Sequence, residues 1–234
     1  MSDIITQGAK ELNIILPSEA GAAFEAYQEL LKSQGETVNL TAISEAEDVE
    51  RLHFLDSLAL LSVTSFKNAK VIDIGSGAGF PGVPLKIAEP SIDLTLLDAT
   101  GKRVAFLKKL CSALGINATC LHARAEESSH ESDKREKYDI CVSRAVAKLN
   151  ILCELCLAFV KPGGLFISMK STNSDEEITS AQNAINTLGA QLQEYVDYTI
   201  PNTDIVHRVV LIRKLSPSPA NYPRRFAKIS KSPL

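Results

Sequence analysis

Apolar residues recur along this chain with two different periods, and the change from one to the other divides it. Over residues 18–33, Phe24, Tyr27, Leu30 and Leu31 stand at helical spacing, and Gly35 is placed to end that helix. Ser44 and Glu47 form an S-x-x-E capping box ahead of a second stripe, Val49, Leu52, Leu55, Leu58 and Ala59, which carries a helix to about residue 62. Residues 1–65 are thus predicted to be a small helical lead-in. From residue 69, strand-like runs stand at 70–74, 93–98, 118–123, 138–143, 165–170, 193–200 and 207–214. Segments of helical length, such as 101–115 and 147–160, separate the first five, and a helix at 175–188 leads to the sixth. Strands alternating with helices predict a largely parallel sheet covered on both faces. The last two runs have no helix between them and predict an antiparallel hairpin at an edge. Residues 216–223, SPSPANYP, read as a linker. The predicted division is therefore 1–65, a helical subdomain; 66–215, an α/β domain; and 216–234, a basic tail.

Length and composition agree with one α/β domain plus an appendage. The chain has 234 residues, 45% apolar and 23% charged. No run approaches the ~20 apolar residues of a membrane span, and the first residues lack the basic-then-apolar order of a secretory leader. Five scattered cysteines suit free thiols in a cytoplasmic protein. Cys153 and Cys156 form a C-x-x-C, but within the apolar run ILCELCLAFV they read as a buried helix face, and no metal is expected. The net charge of −3 conceals an asymmetry. From Arg213 onward there are six basic residues and no acidic ones, against 19 basic and 28 acidic before it. A basic tail on an acidic body suits a polyanion partner or a solvated terminus, and charge alone leaves both open.

The candidate chemistry begins where the first α/β strand opens into Gly75-Ser76-Gly77-Ala78-Gly79-Phe80-Pro81-Gly82. The loop stands at the carboxyl end of a strand, where open α/β sheets bind ligands. Gly77 to Gly82 satisfies the dinucleotide pattern G-x-G-x-x-G, whereas Asp73 to Gly79 satisfies D-x-G-x-G-x-G, the methyltransferase pattern. Asp73 suits a cationic ligand and opposes a pyrophosphate. Pro81 and Pro84 leave the following helix fewer N–H donors than a pyrophosphate needs. The second strand ends in Asp98, whose carboxylate can accept both hydroxyls of a ribose. Backbone groups of Ala125 and Glu126, after the third strand, suit an adenine edge. Glu126 and Glu127 equally suit the N-terminus of a helix. The fourth strand ends Ser143-Arg144-Ala145, without the Asn/Asp-Pro-Pro-aromatic run of exocyclic-amine methyltransferases. Cys141 lies within that strand with no proline before it, unlike the nucleophile of a pyrimidine-C5 enzyme. No general base stands out. That permits an acceptor such as guanine N7, which has a lone pair and no proton to lose, without selecting it.

Taken together, the motifs resemble those of the bacterial 16S rRNA guanine-N7 methyltransferases, the glucose-inhibited division protein B family, over nearly the whole chain. The resemblance rests on Val38-Asn39-Leu40-Thr41, His53-Phe54-Leu55-Asp56-Ser57, Asp73 to Gly82, Leu97-Asp98, Gly101-Lys102-Arg103-Val104-Ala105-Phe106-Leu107, Ser143-Arg144-Ala145 and Tyr222-Pro223-Arg224-Arg225. It implies a seven-stranded class I S-adenosylmethionine-dependent methyltransferase fold. It also implies methyl transfer to N7 of a guanine in the 530 loop of 16S rRNA, on the RNA or the small subunit. The family's cofactor contacts carry over onto Gly75, Phe80, Ala125, Glu126 and Arg144, joined by Gly77, Gly79 and Asp98 from the loop argument. Candidates facing RNA are Asn39, His53, Lys102, Arg103, Lys170, Arg224 and Arg225. Asn39, His53 and Asp56 either close the lead-in over the acceptor or fix that subdomain. Ser171 departs from the family, where many relatives have glycine. A monomer is expected. Methylation of another RNA or of a small molecule, NAD-dependent oxidoreduction, and RNA binding without catalysis are the alternatives.

Overall fold

Five parallel strands, β1 (Lys70–Ile74), β2 (Asp93–Asp98), β3 (Ala118–His122), β4 (Tyr138–Arg144) and β5 (Val160–Ser171), form most of one sheet in the computed structural model, which describes residues 2–38 and 45–234. The hairpin β6 (Ala190–Thr199) and β7 (Val206–Lys214) completes the order β3-β2-β1-β4-β5-β7-β6, with β7 antiparallel to both neighbours. This is the predicted edge hairpin, with β7 inserted and β6 at the rim. From β1 the chain builds outward first through β2 and β3, then on the other side through β4. The carboxyl ends of β1 and β4 therefore flank the switch point at which such sheets bind ligands.

The central strands are nearly continuous apolar runs because both faces are covered. One face packs Phe24, Tyr27, Phe54, Leu58, Leu107 and Leu110. The other packs Leu149, Leu152, Phe159, Ile185 and Leu188. Cys153 and Cys156 are free and wholly buried in that second layer, on the helix Leu149–Cys156. Among the described residues no helix is long and apolar enough to cross a membrane.

Several expectations are corrected. Gly35 does not end the second helix, which runs Ala20–Val38; glycine within a helix costs about 1 kcal/mol against alanine without forbidding it. A helix the pattern does not announce, Asp3–Glu11, is capped by the Ser2 hydroxyl, which accepts from the Ile5 amide at 3.2 Å. Ser44 of the capping box lies outside the described residues, as does Asn39. The second stripe is one helical run over residues 46–62, widened to π geometry over Glu50–Leu55.

Residues 216–223 are not a free linker. Arg135 donates to the carbonyls of Ser218, Pro219 and Tyr222, at 3.0, 3.2 and 2.9 Å. The fully buried Lys214 donates to the Leu157 carbonyl (2.7 Å) and the Ser218 hydroxyl (2.6 Å). The final helix, Phe226–Lys231, buries Ile229.

Candidate functional site

The register Ile74↔Leu97 sets the glycine loop beside the end of β2. The Gly75 and Ser76 amides both donate to the Leu97 carbonyl, at 2.8 and 3.1 Å. Gly75, Gly77 and Gly79 all have positive φ, at 73°, 56° and 106°, conformations that only glycine adopts without penalty. Their surroundings differ. A Cβ on Gly79 would come within 2.5 Å of the Tyr27 hydroxyl, so this glycine seats the loop on the lead-in helix. A Cβ on Gly77 would meet nothing nearer than 3.8 Å. Gly77 is thus the glycine whose missing side chain leaves open space.

That space is a cavity of about 430 Å³, lined by His53, Gly75 to Ala78, Phe80, Asp98 to Thr100, Arg103 and Arg144 to Val146. Asp98 is 3% exposed. Its Oδ2 accepts the Gly77 amide at 3.0 Å and its Oδ1 the Thr100 amide at 2.8 Å. Each oxygen keeps a lone pair for a further donor. Arg103 stands 3.7 Å from the same carboxylate.

A second cavity of about 490 Å³ adjoins the first and shares His53, Arg144 and Ala145 with it. Its remaining wall is Leu52, Asp56, Met169, Lys170, Ser171, Ile205 and His207. Arg144 holds the partition through several contacts. It donates to the Leu52 carbonyl (3.1 Å), to Asp56 Oδ2 (3.1 Å) and to His53 Nδ1 (3.0 Å), and it lies over the Phe80 ring at 4.9 Å. Asp56, 1% exposed, also accepts from the Tyr198 hydroxyl (2.6 Å) and from His207 Nδ1 (2.8 Å). The π-widened stretch presents Leu52 and His53 to this partition, with Asp56 immediately after it; such bulges are frequent at functional sites.

Electrostatics follow from this packing. Burial, and then the Arg144 charge, lowers the His53 pKa to about 4, so its ring is neutral, with Nδ1 within 3.0 Å of both the Leu52 carbonyl and the guanidinium. The hydrogen bond to Asp56 raises the His207 pKa. Asp56 itself is held below the usual range: its bonds to His207 and Tyr198 and the Arg144 charge outweigh burial, the largest single influence on it. Tyr198 is raised by burial.

A family model described as rRNA small subunit methyltransferase G, GidB, matches residues 21–206. The chain belongs to that family. Ribosomal RNA small subunit methyltransferase G proteins of Alkaliphilus oremlandii and Acetivibrio thermocellus are 44% and 41% identical to it, over 100% and 99% of this chain and 99% and 96% of theirs. A SAM-dependent methyltransferase from Aquifex aeolicus superposes with a TM-score of 0.53 at 15% identity, covering 70% of this chain and 92% of its own. A ribosomal protein L11 methylase from Lactobacillus delbrueckii gives 0.52 at 13% identity, over 69% and 77%. These two likenesses bear on the fold and agree with the seven-stranded methyltransferase architecture expected.

Within this family member, the first cavity brings together Gly75, Gly77, Phe80, Asp98, Arg144, His53 and Arg103. It does not bring in Ala125 or Glu126. Ala125 is buried in the apolar cluster on the second face of the sheet, and Glu126 lines a separate cleft with Arg225 and Phe226. Asp73 is corrected as well. It is fully buried behind the loop, where its Oδ2 accepts the Gly82 amide at 2.9 Å, and burial raises its pKa to about 8. Lys170 lines the second cavity but spends its ammonium on the Ala147 carbonyl (2.7 Å) and Glu177 (2.6 Å). Arg224 is turned inward onto the wholly buried Glu154, at 2.6 Å, and is corrected as an RNA-facing candidate. Lys102 and Arg225 are exposed. Tyr27, Tyr198 and His207 are site residues that pattern reasoning misses. Tyr198 and His207 face each other across the hairpin, a pairing visible only once its register is known.

Proposed function

We propose that this chain transfers the methyl group of S-adenosylmethionine to N7 of a guanine in the 530 loop of 16S rRNA, acting as a cytoplasmic monomer on the RNA or the small subunit. The observation that carries this reading is the shared partition. One cavity has an oriented buried carboxylate beside a glycine loop; the other adjoins it across Arg144 and Ala145, and its Asp56, Arg144 and Lys170 side chains are engaged with protein partners. The residues fit the cofactor. The free lone pairs of Asp98 suit two ribose hydroxyls, the Gly77 opening admits a close ligand, and Phe80 with Arg144 stacked on it forms part of the wall. The bound cofactor supplies a methyl group on a cationic sulfur. The dinucleotide alternative is weakened by the helix Gly82–Ala88: its Gly82 amide is taken by Asp73, the Val83 amide by the Gly79 carbonyl, and Pro84 has none.

What the chain contributes is alignment. The Asp56 carboxylate is committed to Arg144, Tyr198 and His207, and the Lys170 ammonium to Glu177, so neither is placed to remove a proton from an acceptor. Guanine N7 needs none removed. Orientation alone supplies ~7–11 kcal/mol in such reactions. The test is incubation with tritiated S-adenosylmethionine and small-subunit RNA from a strain lacking the modification. Label that is released by N7-specific cleavage chemistry is expected. Label resistant to that chemistry, or none at all, overturns the reading.

A further inference from the structure

One side chain of the lead-in reaches into the glycine loop. Tyr27, fully buried on the helix Ala20–Val38, donates its hydroxyl to the Ala78 carbonyl at 2.6 Å. A carbonyl oxygen only accepts, so the direction of this bond is fixed by the two groups themselves. Ala78 is 3% exposed, and among the described residues no other donor reaches its carbonyl. The same ring lies flat against Phe80, 5.3 Å between centroids and 12° between planes, and packs beside Phe54 at 5.1 Å. Gly79 stands between these two contacts, where a Cβ would come within 2.5 Å of the Tyr27 hydroxyl. Three consecutive loop residues, Ala78 to Phe80, are therefore shaped on one tyrosine. The other bonds of the loop run within it or to β2: the Gly75 and Ser76 amides to Leu97, the Gly77 amide to Asp98, and the Gly79 and Phe80 amides to Ser76. Those bonds fix the loop from the sheet; Tyr27 fixes it from the lead-in.

We propose that Tyr27 is a positioning residue for the cofactor: its hydroxyl holds Ala78 and Phe80 in the conformation that receives S-adenosylmethionine, so that cofactor affinity depends on the seating of the lead-in. The inference rests on the S-adenosylmethionine reading above. Ala78 and Phe80 both line the first cavity, whereas Tyr27 stands behind them and acts through them. Removing the hydroxyl strands a buried acceptor. The loop then exchanges its seated form for others in which the Ala78 carbonyl reaches water. S-Adenosylmethionine binds the seated form, so its apparent dissociation constant rises as the seated fraction falls. Once bound, the cofactor holds the loop in place, and the methyl-transfer step at saturation is that of the parent chain.

The experiment uses the full chain and calorimetry with S-adenosylmethionine. Tyr27→Phe keeps the ring and its stack on Phe80 and removes the hydroxyl alone. Its dissociation constant is expected to rise about 5- to 10-fold, the worth of one hydrogen bond. The KM for the cofactor rises with it, and kcat at saturating cofactor stays near the parent's. Phe24→Leu serves as the control. Phe24 is buried in the same lead-in, 4.9 Å from Phe54, and makes no hydrogen bond to the loop. This variant is expected to lower the melting temperature and leave the dissociation constant unchanged. A dissociation constant for Tyr27→Phe equal to the parent's, or one raised as much by Phe24→Leu, overturns the role of Tyr27 while leaving the cofactor reading in place. Failure of the parent chain to bind S-adenosylmethionine overturns both.

Discussion

Arg144 and Asp56 meet at 3.1 Å across 88 residues of chain, one at the end of β4 and the other just past the π-widened turn of the lead-in. Both are largely buried, with side chains 15% and 2% exposed. This pair joins the helical segment to the sheet at the point where the two cavities touch. Removing one member of a buried ion pair leaves the other uncompensated, which costs about 3–5 kcal/mol. Asp56→Ala is therefore expected to lower unfolding stability by that order and to loosen Arg144, raising the cofactor dissociation constant as well. Urea unfolding and calorimetry with S-adenosylmethionine check the two effects. An unfolding free energy equal to the parent's would mean that the pair does not hold the subdomain.

Asp98 carries a different burden. Its two oxygens fix the Gly77 and Thr100 amides and still face the first cavity. Asp98→Ala removes charge-assisted bonds of ~1.5–3 kcal/mol each, so affinity for S-adenosylmethionine is expected to fall at least tenfold. The melting temperature should fall too, because two loop amides lose their acceptor. An unchanged dissociation constant, measured on a folded variant, refutes the ribose role.

His53 predicts a pH dependence of stability. Its pKa of about 4 in the folded chain lies below the 6.5 of a free ring. Between those values the unfolded chain binds a proton that the folded chain does not, so stability falls as the solution is acidified, by about 1.4 kcal/mol per pH unit. Asp73, raised to about 8, acts with the opposite sign, since its folded form holds a proton over the same range. The difference between the parent chain and His53→Asn isolates the histidine. Urea unfolding at pH 7, 6 and 5 should show the parent losing more stability than the variant with each step down. Parallel curves would contradict a neutral, desolvated ring.

How much of this is legible without coordinates depends on the range of the interaction. Alternation and helical spacing place β1 to β4 to within a residue at each end; β1, β2 and β4 are buried parallel strands, which show as short apolar runs bounded by turn residues. Gly75, Gly77 and Asp98 stand out in sequence for a related reason, since each lies at or just beyond the carboxyl end of a strand; Phe80 and Arg144, which line the same cavity, are named only through the family resemblance. The union of Asp56 with Tyr198 and His207 is not. It depends on the hairpin register and on a π-widened helical stretch, neither of which leaves a periodic signal. Lys170 and Arg224 look like surface cations in sequence because their partners, Glu177 and Glu154, are brought to them by the packing of helices on the sheet.

The tail gives the sharpest contrast between neighbours. Arg224 donates to Glu154 from its backbone amide and from two side-chain nitrogens, at 2.7, 2.8 and 2.6 Å, and Glu154 is wholly buried. Arg225, the next residue, is exposed. Removing Arg224 strands a buried carboxylate, so Arg224→Ala is expected to cost about 3 kcal/mol of stability. Its effect on RNA binding, measured where the protein remains folded, should carry no change in salt dependence. Arg225→Ala should do the reverse: stability stays within ~0.5 kcal/mol, and if this arginine meets a phosphate, the slope of log affinity against log salt flattens by about 0.7–0.9. Chemical unfolding and filter binding at several salt concentrations separate the two residues. A flattened slope for Arg224→Ala, or an equal loss of stability in both variants, would show that the inward ion pair does not set the role of this segment.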